Sequence, residues 1–311
     1  MGKAKDRFLS TLSIISRIPV KQKFNFYPSG MDYWLPVTGL FPALLGLLLF
    51  TGFSFFAGDP FIAVIVTLTA QYLCFNLFHL DGLMDTADAF LGTVDREKRL
   101  AILKDSRTGV YGFFSGFAAL SLKAAFLRVI FTMNQPALAG GTPGGFSPDA
   151  FLLSAVFLAF PLFGRFSAAL IPCMAKPAIP GGLGAVMKDA RPLRGTAGII
   201  TALICWGLCV LGWRALISLG ALRFAAAGIS PGTALPSLPA ALALARILPA
   251  FIYTGVCLVL ISPLTAWFYA RLYRNSLGGY TGDALGAAIE SAEILSLAVS
   301  AVSGYLGCYR F

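Results

Sequence analysis

The chain has 311 residues, of which 57% are hydrophobic and 12% charged, with a mean hydropathy of +0.78. A soluble domain carries roughly 25% charged residues, so this composition excludes an ordinary water-soluble fold and points to a bilayer. The net charge of +10 does not indicate nucleic acid, because the basic residues occupy short connections between apolar runs and no basic-aromatic stripe accompanies them.

The first segment, 1–23, carries Lys3, Lys5, Arg7, Arg17, Lys21 and Lys23 around a short apolar stretch and has no cleavable signal-peptide pattern. Phe8, Leu9, Leu12, Ile15 and Ile18 recur at helical spacing. That spacing predicts an amphipathic helix lying on the cytoplasmic leaflet and ending before Pro19.

From residue 35 to residue 306, apolar runs of the length that crosses a hydrocarbon core of about 30 Å follow one another. They predict spans near 35–57, 61–80, 110–133, 150–172, 195–219, 247–270 and 284–306. The expected fold is all-α: a polytopic integral membrane protein of about seven transmembrane helices plus the N-terminal interfacial helix, with 1–311 forming a single helical membrane domain. Placing the N-terminus inside also puts Arg96 to Arg107, Lys176 to Arg194, and Arg271 with Arg274 inside. The opposite loops, near 58–60, 134–149 and 221–245, are poor in basic residues, and the C-terminus is expected outside. The six cysteines show neither CxxC spacing nor a zinc pattern and read as small core residues.

Against this apolar background, the fourteen acidic residues are unevenly spread. Asp81, Asp85 and Asp88 follow His79, the one histidine, at i, i+4 and i+7, which aligns them in a stripe on one helical face. Such hard oxygen ligands suit Mg²⁺ or Mn²⁺, which combine a few carboxylates with water and substrate phosphate. A solvated acidic helix end is the simpler alternative.

Next comes a basic segment, Arg96 to Gly112, in which Lys104 and Arg107 suit phosphates and Asp105 can join a metal site or orient a base. The third element, Leu277-Gly278-Gly279-Tyr280-Thr281-Gly282-Asp283, precedes a helix that carries Glu290 and Glu293. Asp283 and Glu290, seven apart, share a face. Within the spans, Lys123, Arg128 and Arg165 stand out, because an intramembrane charge is functional or paired.

Together, Ser16-Arg17-Ile18-Pro19-Val20, the stretch from His79 to Asp88, Lys104-Asp105-Ser106-Arg107-Thr108-Gly109, Gly164-Arg165 and Gly278 to Asp283 resemble the cobalamin synthase family, the adenosylcobinamide-GDP ribazoletransferases. Their order covers nearly the whole chain. Asn76-Leu77 stand where the family pattern has glycines.

The resemblance implies a Mg²⁺-dependent membrane enzyme that joins adenosylcobinamide-GDP to α-ribazole or α-ribazole 5′-phosphate and releases GMP. Under it, Asp81, Asp85 and Asp88 are expected to hold the metal, with catalytic roles for His79, Lys104, Asp105 and Arg107. Substrate contacts are expected from Ser106, Arg165, Thr281, Asp283 and Glu290. The spaced aspartates also resemble CDP-alcohol phosphotransferases, but Met84-Asp85 stand where that family has an alanine-arginine pair. An ion-coupled transporter is the rival of another class, and it predicts ion sites at the membrane midplane. Expected partners are the two substrates and membrane lipid, not nucleic acid, with a homo-oligomer or contacts to enzymes of the same pathway left open.

Overall fold

A computed structural model describes residues 2–55, 60–92, 94–132, 155–226 and 252–308. These residues form helices α1 (Gly2–Ile15), α2 (Met31–Thr38), α3 (Leu40–Phe55), α4 (Pro60–Gln71), α5 (Leu77–Phe90), α6 (Arg96–Ile102), α7 (Val110–Thr132), α8 (Phe160–Met174), α9 (Pro192–Ala226), α10 (Ser262–Leu277) and α11 (Gly282–Cys308). Among the described residues the one β-type pairing is an isolated bridge between Pro177 and Tyr280. Among the described residues, seven helical stretches are long and apolar enough to cross a membrane: Met31–Gly52, Phe61–Phe90, Val110–Thr132, Ala155–Met174, Pro192–Leu216, Ile252–Leu277 and Gly282–Ser303. The expected all-α, seven-span architecture is therefore present.

One boundary differs from the sequence reading in a way that matters. The second span continues ten residues past Leu80, through all three aspartates, to Phe90. Apolar length alone stops at the first charge, whereas a helix keeps its backbone bonded beyond the bilayer if its polar face meets water or protein. Within this span Tyr72–Asn76 form a π-helical turn between α4 and α5. Such turns insert a residue into the helical ladder and often mark functional positions.

The amphipathic segment folds as α1, but it is not simply a lipid-facing helix. Leu12 and Ile15 are buried, Phe8 meets Trp34 edge-on at 5.4 Å, and Arg17 N–H donates to the Cys74 carbonyl at 3.0 Å. The helix stops at Ile15, four residues before Pro19.

Helix α8 lies at the centre of the bundle. Every residue from Phe160 to Ile171 is buried, among them Arg165, whose guanidinium is wholly enclosed. Such a charge is tolerated only when paired and hydrogen-bonded. Arg165 Nη1 lies 2.8 Å from Glu293 Oε1 on α11, and Nη2 donates to Asn76 Oδ1 at 2.9 Å. Lys123 Nζ on α7 lies 2.7 Å from Glu290 Oε2 and 2.6 Å from Glu293 Oε2. Tyr72 and Asn76, the two ends of the π-helical turn, donate to Glu290 at 2.6 Å and Glu293 at 3.1 Å. Two cations thus balance two anions, and the network ties the π-helical turn that leads into α5 to α7, α8 and α11. Gly164 makes the approach of α11 possible, since a Cβ there would sit 2.6 Å from Glu293 Cγ and 2.9 Å from the Ile289 carbonyl oxygen.

Removing one member of such a network leaves charges that the apolar interior cannot solvate. Glu293→Ala, which strips a partner from Lys123, Arg165 and Asn76 at once, is expected to destabilise the protein by about 3–5 kcal/mol. The expected readout is a lower thermal midpoint of the detergent-solubilised protein, with a smaller drop for the charge-balanced double variant Lys123→Met/Glu290→Gln.

Candidate active site

The acidic stripe forms because α5 continues as a regular helix through Asp81, Asp85 and Asp88. Thr86 pins it laterally, bonding the Gly82 carbonyl at 2.6 Å and the Tyr273 hydroxyl of α10 at 2.8 Å. Gly82 and Gly286 allow α5 and α11 to cross in backbone contact. A Cβ on Gly82 would lie 3.0 Å from the Asp283 carbonyl oxygen, and one on Gly286 would lie 2.9 Å from that of His79. This crossing brings Asp283, some two hundred residues away in sequence, to the stripe. Asp85 interacts electrostatically with Asp81, Asp283 and Asp88, and Asp283 with Asp81. Among the described residues, none of these four carboxylates has a lysine or arginine partner.

Asp88 differs from the others. It accepts the backbone N–H of Gly109 at 2.7 Å and of Gly112 at 2.8 Å, and so caps the first turn of α7 from a different helix. A negative charge there also complements the positive end of the helix dipole. A side chain at Gly112 would collide with the Asp88 carboxylate.

The glycine-rich turn before α11 is built by stitching two chain segments together. Gly278 ends α10 with a left-handed φ of 80°, which a side chain rarely adopts. Tyr280 N–H donates to the Lys176 carbonyl at 2.9 Å, and Ala178 N–H to the Tyr280 carbonyl at 2.8 Å. The Tyr280 hydroxyl donates to the Gly184 carbonyl at 2.7 Å, and burial raises its pKa. Thr281 then donates to Asp283 Oδ2 at 2.9 Å. Between this turn, the 179–184 segment and the end of α6 lies a cleft of about 180 Å³, with Lys104 on one wall and Thr281 and Asp283 on another. The basic segment is held in place by Arg96, whose Nη2 donates to the Leu277 carbonyl at 3.2 Å, and by Arg99 over the Phe90 ring at 5.3 Å.

Asp105 and Arg107 form an exposed pair, with Arg107 Nη2 2.6 Å from Asp105 Oδ2 and Nε 3.0 Å from both carboxylate oxygens. The guanidinium holds the Asp105 carboxyl below the ordinary carboxylate range. The pair is complete above that range and is lost only as pH falls through the lowered pKa. Asp105 is therefore ionised at neutral pH. Ser106, between them, is exposed.

The structure thus gathers Asp81, Asp85, Asp88, Lys104, Thr281 and Asp283 at one end of the bundle. Three of the expected site residues lie elsewhere. Arg165 and Glu290 are bonded to other protein side chains in the buried network. His79 is 2% exposed; two residues from Asp81, it points to the other side of α5, into an apolar pocket of about 40 Å³ lined by Ile14, Met31 and Ile289. Among the described residues, neither of its ring nitrogens has a hydrogen-bond partner.

Tyr72 and Asn76 escape a sequence reading, because one polar residue in an apolar run gives no hint of its partner. The clue was the departure at Asn76 itself.

Among the described residues, no three His, Cys, Asp or Glu groups stand together as a ready-made metal cage. Magnesium, however, is usually held by one or two carboxylates together with water and substrate phosphates. The unpaired carboxylates of Asp81, Asp85 and Asp283 have that donor chemistry. For Asp88, the cap predicts that Asp88→Ala costs about 0.5–2 kcal/mol of stability. Faster amide exchange confined to Gly109–Gly112 is the measurement that checks it.

Comparison with known proteins matches the family model for cobalamin-5-phosphate synthase over residues 7–231 and 223–301. A Citrobacter koseri protein named adenosylcobinamide-GDP ribazoletransferase is 28% identical over 298 residues, covering 93% of this chain and 97% of the relative. A Rhizobium johnstonii protein of the same name is 28% identical over 320 residues, covering 97% and 99%. One from Shewanella amazonensis reaches 36% over 153 residues, covering 48% and 59%. No solved structure matches. Matched along most of its length by the family model, the chain belongs to the cobalamin-5-phosphate synthase family.

Proposed function

We propose that the protein transfers the adenosylcobinamide-phosphate group from adenosylcobinamide-GDP to α-ribazole or α-ribazole 5′-phosphate, releasing GMP. The observation that carries this reading is the match, nearly end to end, to relatives bearing that activity as their name. The chemistry of the site supports it. Asp283 on α11 lines a cleft with a lysine wall and interacts electrostatically with Asp81 and Asp85 on α5, an arrangement suited to a pyrophosphate with its counter-ion.

A ribazole hydroxyl attacks the phosphorus that bears the cobinamide. The new O–P bond forms as the pyrophosphate bridge breaks, and GMP leaves with the bridging oxygen. Asp81, Asp85 and Asp283 are the residues we propose to hold Mg²⁺, with Asp88 capping α7 beside them. When bound, Mg²⁺ supplies charge neutralisation on the pyrophosphate and the leaving group. Lys104 contributes a further positive charge from the cleft wall.

Arg107 has a dual part in this reading. It is paired with Asp105, and a pyrophosphate that draws the guanidinium away frees the carboxylate. The carboxylate's pKa then returns upward, so that Asp105 accepts the hydroxyl proton only once substrate is in place. Basic segments on the same side as the site support a cytoplasmic orientation.

GMP release by the purified protein in liposomes tests the reaction. Release is expected only with both substrates present, and it should stop when the divalent cation is chelated. Substrate flux without GMP would instead favour transport. Asp81→Ala and Asp85→Ala are each expected to lower turnover by at least on the order of 10²-fold. Asp105→Asn should lose on the order of 10²–10⁴-fold in kcat, with the folded state unchanged by thermal midpoint.

A further inference from the structure

A groove of about 720 Å³ runs along the outside of the bundle between α4, α5 and α7. Among the described residues its lining is apolar except for Thr69, Tyr72, Ser121 and Arg128, with one cation and no acid. Phe61, Leu73 and Phe117 on its walls are between 51% and 61% exposed, so the groove opens sideways, where the hydrocarbon of a bilayer lies. Arg128 is exposed, and among the described residues no carboxylate pairs with it.

Two lengths decide what fits. Arg128 lies 18 residues beyond Val110, the start of α7, or about 27 Å at 1.5 Å per residue. It therefore stands near the membrane face opposite the acidic site. From Phe117 to Arg128 the groove follows α7 for 11 residues, about 16 Å. That is close to half of a hydrocarbon core of about 30 Å, the depth reached by one acyl chain of one leaflet.

We propose that this groove is a binding site for one anionic phospholipid of the leaflet opposite the acidic cluster. The phosphate sits on the Arg128 guanidinium and one acyl chain lies along α7 to Phe117. A guanidinium binds a phosphate through paired N–H donors. A zwitterionic headgroup fits less well, because its ammonium would face Arg128 with no acid among the described lining residues to receive it. Tyr72 forms part of the groove and also donates to Glu290, so the lipid packs against a residue of the buried network. Occupancy is thereby linked to the stability of the helices that carry the site.

The test is native mass spectrometry of the protein released from vesicles of phosphatidylglycerol and phosphatidylethanolamine, paired with thermal midpoints in detergent titrated with each lipid. One tightly retained phosphatidylglycerol is expected, with a higher midpoint for phosphatidylglycerol than for phosphatidylethanolamine. Two variants, Arg128→Gln at the headgroup end and Ala125→Trp in the groove, should each lose the retained lipid and most of the shift. Because both positions are exposed, both variants should fold. Equal retention of the two lipids, retention unchanged in both variants, or a dimer whose interface excludes lipid from the groove would overturn the proposal.

Discussion

A charge inside a bilayer must find its counter-charge within the protein, and that requirement organises this molecule. Lys123, Arg165, Glu290 and Glu293 are fully buried, and each is stable only because the others lie within hydrogen-bond distance. Ion pairs of this kind add little net stability compared with a well-packed apolar core, but they strongly disfavour any arrangement that separates them. Four helices are thereby fixed in rotation and depth.

Helix α11 shows how this constraint reaches the site. Glu290 and Glu293 lock its middle, and Asp283 stands at its first turn, seven residues before Glu290 or about 10 Å along the axis. The crossing of α5 and α11 through Gly82 and Gly286 then determines which carboxylates meet. Just before α5, the π-helical turn supplies both Tyr72 and Asn76 to the network, and the turns of α5 that follow carry Asp81, Asp85 and Asp88. On α7, Lys123 enters the network, while the first turn is capped by Asp88. The helices that bear the acidic face, and the one it caps, belong to the same spans that converge on the buried charges.

The acidic face has the opposite electrostatic character. Among the described residues none of its carboxylates is ion-paired to a lysine or arginine, so their mutual repulsion favours a cation that arrives from outside. Under the proposed function, a pyrophosphate with its cation would meet that need. The interior is electrically closed, whereas the site is left open.

By itself the sequence determined the number of spans, the helical class, the acidic stripe and the family, because hydropathy, i to i+4 spacing and short motifs are local properties of the chain. It also marked Lys123, Arg128 and Arg165 as either functional or paired. Only the tertiary structure decided who those partners are: whether a buried glutamate serves substrate or a lysine depends on how distant helices cross, and Gly164 and Gly82 reveal their close contacts only once their neighbours are in place. The same holds for Asp88, which belongs to the stripe by spacing but is occupied by Gly109 and Gly112, and for His79, which adjoins the stripe in sequence yet faces the other way because two residues along a helix turn the side chain through about 200°.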